Sequence, residues 1–69
     1  MSNSIRIFTG ERYCVDSYGN GWAYAITRLE DGASVWLQDS DAVHFAEEME
    51  RTNERFTYED LCFIVFNYQ

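Results

Sequence analysis

The apolar residues of this chain change their spacing once, at Asp39-Ser40-Asp41, from a period of two before it to a period of about 3.6 after it. A period of two lays apolar side chains on one face of a strand, and a period of 3.6 lays them along one stripe of a helix. The switch predicts an α+β fold in which strands come first and helices follow.

Before the switch, Ser4 to Thr9 alternates with Ile5 and Ile7 on one side, and Gly10-Glu11 offers a tight turn into Arg12 to Asp16, where Tyr13 and Val15 share a face. Ser17-Tyr18-Gly19-Asn20-Gly21 gathers residues that accept positive φ and opens into Trp22 to Arg28. There Trp22, Tyr24 and Ile26 alternate with Ala23, Ala25 and Thr27. Glu30-Asp31-Gly32 carries the Asp-Gly hairpin signature and returns the chain through Ala33 to Gln38, with Val35 and Leu37 opposite Trp36. The expectation is an antiparallel sheet of three to four strands over residues 4–38.

After the switch, Asp39 or Ser40 can cap a helix whose positive end Asp41 favours. Ala42, Phe45, Ala46 and Met49 form its stripe, extended by Thr52 and Asn53, which predicts a helix over about 40–54. Thr57-Tyr58-Glu59-Asp60-Leu61 reads as a second capped start, followed by Tyr58, Leu61, Cys62, Val65 and Tyr68 on one stripe, hence a helix over about 58–68. Phe63, Ile64 and Phe66 lie off that stripe, so a buried strand over Leu61 to Phe66 is the alternative. As a helix, this segment turns apolar rings outward, toward a homodimer or partner contact.

With no Pro, no repeat and no low-complexity segment, residues 1–69 read as one domain. Hydrophobic residues at 46% and aromatics at 17% suit a folded chain rather than a disordered acidic one. No run approaches the roughly 18–20 apolar residues of a membrane span, and Met-Ser-Asn-Ser-Ile-Arg lacks an apolar signal core after a basic start. The expected place is the cytoplasm of a bacterial host. In that reducing compartment Cys14 and Cys62 are expected as free, buried thiols, with a disulfide between them as the alternative.

Little in the chain suits catalysis. His44 is the only histidine, the cysteines lack a CxxC neighbour and the further ligands that zinc needs, and Gly19-Asn20-Gly21 lacks the helix and Lys of a phosphate loop. A carboxylate pair needs a cleft deep enough to shift a pKa, which a fold of this size rarely builds. The expectation is no catalytic residue, no cofactor and no metal site. Tyr13, Tyr18, Trp22, Tyr24 and Trp36 are candidates for either the core or a base-stacking platform. Direct nucleic-acid binding would be opposed by the charge, because five Arg and no Lys face twelve acids.

The charge is unevenly placed, +1 over residues 1–28 and −8 over residues 29–69. Glu47, Glu50 and Glu54 share a flank of the first predicted helix, Glu48 lies on its other side, and Glu30, Asp31, Asp39 and Asp41 precede it in the turn and cap. Glu47 with Arg51 is a favourable i,i+4 pair, whereas Glu50 with Glu54 is a repulsive one. Such a row serves solubility, or it imitates the phosphates of duplex DNA, which carries one charge per about 1.7 Å of axis. In the second case carboxylates take the place of phosphates in arginine forks.

Compact acidic proteins of this size include the phage-encoded anti-CRISPR proteins that act on type I surveillance complexes, several of them DNA mimics. The stretch from Gly21-Trp22-Ala23-Tyr24-Ala25-Ile26 through Ala33-Ser34-Val35-Trp36-Leu37-Gln38-Asp39 to Phe45-Ala46-Glu47-Glu48 resembles that kind of protein. The resemblance implies an inhibitor that binds the basic DNA-recognition surface of a Cascade subunit, such as the large subunit, and blocks target DNA. The charge pattern supplies the candidate contacts, Glu30, Asp31, Asp39, Asp41, Glu47, Glu48, Glu50 and Glu54. The competing expectation is an antitoxin or adaptor that anchors to a protein partner through Phe63, Ile64 and Phe66.

Overall fold

In the computed structural model, which describes residues 4–19 and 21–68, four strands are followed by two helices. β1 (Ser4–Thr9), β2 (Tyr13–Tyr18), β3 (Ala23–Arg28) and β4 (Ser34–Gln38) form an antiparallel sheet in the order β1-β2-β3-β4. α1 (Ser40–Glu50) and α2 (Tyr58–Tyr68) pack on one face of it. The fold is α+β, and Leu61 to Phe66 is helical rather than a strand. Asn20, expected in the turn before β3, lies outside the described residues.

Cross-strand register decides which side chains meet. Val15 pairs with Ile26 and Ile26 with Val35, so Tyr13, Val15, Tyr24, Ile26 and Leu37 point to the same side. Ala42 and Phe45 of α1 and Leu61 and Cys62 of α2 close over them. Burying Ile26 fully, at 0% exposure, contributes about 1.5–3 kcal/mol.

Two segments depart from the simple alternation. A bulge between Arg6 and Phe8 adds one residue to β1 and shifts its register, so Phe8 pairs with Val15 and packs on the core while Ile7 is exposed; Ile5, paired with Ser17, is exposed as well. Trp22 does not share the face of Tyr24 and Ile26. It stands in the turn ahead of β3, beside Gly21 at φ 95°, and sets its ring 6.4 Å from that of Trp36 on the opposite, helix-free face. Tyr18 joins them, its ring 4.9 Å from Trp36.

The β3–β4 turn forms as expected, with Gly32 at φ 76° donating its N–H to the Arg28 carbonyl at 2.8 Å. β4 passes to α1 through Asp39, which adopts φ 56° and ψ −128°. That conformation costs a non-glycine residue about 1–3 kcal/mol. Asp39 sits at the N-cap position, but its side chain makes no cap hydrogen bond.

α1 ends at Glu50, not near residue 54. The Thr52 hydroxyl donates to the Met49 carbonyl at 2.8 Å, and Asn53 Oδ1 accepts from the N–H groups of Arg55 at 2.8 Å and Phe56 at 3.0 Å. These local bonds offer Thr52 and Asn53 an alternative to continuing the helix, and the resulting loop lays Phe56 against the core. α2 starts on a reciprocal cap: Asp60 N–H donates to Thr57 Oγ1 at 3.2 Å and Thr57 N–H to Asp60 Oδ2 at 3.1 Å. Its packed stripe includes Phe66 in place of Tyr68, which is 85% exposed.

Candidate functional site

The candidate carboxylates fall into separate groups. Glu30 and Asp31 occupy the β3–β4 turn, whereas Asp39 and Asp41 lie past the other end of β4. At about 3.3 Å per residue that strand separates them by roughly 17 Å. Asp31 is neutralised by the Arg28 guanidinium, which donates to its two oxygens at 3.0 and 2.6 Å, and it accepts a further bond from the Ala33 N–H at 3.1 Å. These donors, Arg28 above all, hold its carboxyl down at about 2. Asp31 therefore braces its own turn.

The α1 set is different. Ala42 and Phe45 face the core, which leaves the carboxylates on the exposed arc of the helix. At 100° per residue Asp41 and Glu48 fall together on one flank, Glu47 lies on the outer side, and Glu50 falls on the opposite flank, 180° from Asp41. Glu54 is brought onto no helical flank, because it sits in the loop after α1. Arg51 pairs with Glu48 at 3.7 Å rather than with Glu47. Among the described residues, Glu30, Asp39, Asp41, Glu47, Glu50 and Glu54 enter no ion pair.

Glu59, which the charge pattern did not single out, has a structural task. Its Oε1 accepts from the backbone N–H groups of Arg12 at 3.2 Å and Tyr13 at 3.4 Å, and Oε2 lies 3.7 Å from Arg12 Nε. The side chain thereby ties the start of α2 to the β1–β2 turn.

A groove of about 290 Å³ runs between the helices. Leu37, Phe45 and Leu61 form its depth, Phe56, Ile64 and Val65 its apolar sides, and Asp41, His44 and Glu48 its rim. Sequence periodicity gave no sign of it, because the groove exists only where two helices and β4 converge. A larger hollow of about 590 Å³ opens beside the hairpin turns, where Arg12 and Arg28 are already engaged by Glu59 and Asp31.

Among the apolar anchor residues, Phe63 and Ile64 are exposed, but Phe66 is not free. Its ring lies 5.7 Å from that of Tyr13 and under the Arg28 guanidinium at 4.7 Å. The aromatic candidates divide likewise, with Tyr13 and Tyr24 in the core and Tyr18, Trp22 and Trp36 on the helix-free face. Cys14 and Cys62 are free and buried, and burial, reinforced by the charge of Glu59, pushes the Cys62 thiol up to about 12. A thiol so held is not a nucleophile near neutral pH. Among the described residues no group of three ligating side chains assembles, and no helix is long and apolar enough to cross a membrane. No family model, no curated protein and no solved structure matches this chain.

Proposed function

We propose that this protein is an inhibitor of the anti-CRISPR kind, which occupies the basic DNA-recognition surface of a type I surveillance complex with its α1 carboxylates and so keeps target DNA out. The observation that carries this reading is the set Asp39, Asp41, Glu47 and Glu50, exposed on and beside one rigid helix with no arginine paired to any of them. Uncompensated charge at this density opposes folding through self-repulsion, and a basic partner surface relieves it. The arginines of such a surface meet carboxylates in the geometry they use for phosphates. Glu30 and Asp31, at the far hairpin, belong to the rim of such a contact rather than its centre.

The test is inhibition and binding of a purified surveillance complex at rising salt. Affinity is expected to fall steeply between about 50 and 200 mM salt, as for ligands held by many ionic contacts. Glu47→Lys with Glu50→Lys is expected to reduce inhibition at least tenfold while the thermal melt stays cooperative. Unchanged inhibition by that double variant would exclude the proposal. A second reading, an antitoxin or adaptor docking through the C-terminal segment, is favoured by the exposure of Phe63 and Ile64. It predicts salt-insensitive binding that Phe63→Ala weakens.

A further inference from the structure

We infer that the groove between α1 and α2 is the seat for a basic amphipathic helix of the protein partner, a detail that rests on the reading above of a basic protein target. The groove combines two features that a solvated acidic helix does not need. Its sides present Phe56, Ile64 and Val65 over a floor of Leu37, Phe45 and Leu61, and Ile64 is 43% exposed although it adjoins the core. Its rim on the α1 side carries Asp41 and Glu48 with His44 between them.

Spacing defines the ligand. Asp41 and Glu48 are seven residues apart on α1, about 10.5 Å along its axis. On a helix laid alongside, that distance separates residues i and i+7, so two Lys or Arg two turns apart reach the two carboxylates, the one at Glu48 displacing Arg51 from its exposed contact at 3.7 Å. Positions i+3 and i+4 then fall between them and point into the groove, where about 290 Å³ admits one or two side chains of leucine size. The apolar insertion supplies affinity, and the paired charges set register and orientation. The larger hollow offers no such match to a basic helix, since Arg12 and Arg28 line it beside Glu11 and Glu30.

The test uses two labelled synthetic peptides of about 15 residues, long enough to form a helix in the groove. One carries Lys at i and i+7 with Leu at i+3 and i+4. The other has the same composition permuted so that no face is both apolar and flanked by charge. Fluorescence anisotropy at low salt is expected to give at least tenfold tighter binding of the first, and Ile64→Asp is expected to remove that preference. Equal, salt-sensitive binding of both peptides overturns the groove and leaves the acidic-face reading standing. Binding of neither overturns the groove, while the acidic-face reading is decided by inhibition of the surveillance complex. A preference that survives in a folded Ile64→Asp variant also overturns the groove.

Discussion

Gly10 and Glu59 illustrate how much rests on single residues in a chain of 69. The Gly10 N–H closes the first hairpin on the Tyr13 carbonyl at 2.8 Å. A β-carbon at Gly10 would overlap the Glu59 carboxylate and come 2.7 Å from the Phe8 ring. Glu59 cannot yield without releasing the N–H groups of Arg12 and Tyr13. Gly10→Ala is therefore expected to destabilise the protein by about 1–3 kcal/mol, the cost of overpacking. In a domain this small each kcal/mol lowers the melting temperature by about 4–8 °C, which calorimetry would read directly. A melt unchanged from the parent would show that Glu59 yields to the β-carbon and does not hold the first hairpin. The sequence marked Gly10 only as a turn residue. Its need to be glycine comes from Glu59, nearly fifty positions away.

Among the elements, α2 is defined by its start. Thr57 and Asp60 exchange hydrogen bonds between side chain and backbone, satisfying N–H groups that the first helical turn leaves without partners. The Thr57 hydroxyl lies on the surface, so Thr57→Ala is expected to cost about 1 kcal/mol, with Thr57→Ser restoring most of it, as chemical denaturation would measure. If Thr57→Ala cost nothing, the cap would not be holding the helix. That start was legible as a four-residue pattern, because capping chemistry is local. The end of α1 was not, since the apolar stripe continues through Thr52 and Asn53. What stops the helix is the competition of the Thr52 hydroxyl and the Asn53 amide for nearby backbone groups, together with the pull of Phe56 into the core. Ending there also removes Glu50 and Glu54 from the repulsive i,i+4 geometry that a longer helix would impose.

For the whole molecule, a net charge of −7 is confined within 34 × 27 × 20 Å. At about 10 mM salt the screening length is about 30 Å, so carboxylates repel one another across the molecule, whereas at 150 mM it is about 8 Å. The melting temperature is expected to rise by about 4 °C or more between those concentrations. A fall would mean that the ion pairs Arg6–Asp16 and Arg28–Asp31 outweigh the repulsion. The sequence by itself determined that strands precede the first helix, the Asp-Gly turn, the α2 cap and the acidic second half, because periodicity, turn chemistry and charge are carried by residues close together in the chain, but it left Leu61 to Phe66 open between helix and strand. Only the tertiary structure decided that a bulge turns Phe8 rather than Ile7 to the core, that Trp22 joins Tyr18 and Trp36 on the helix-free face, and that Glu59 serves the first hairpin. It alone decided that Asp41 and Glu48 overlook an apolar groove. Each of these depends on contacts between segments distant in sequence, whose geometry is set when the helices close over the sheet.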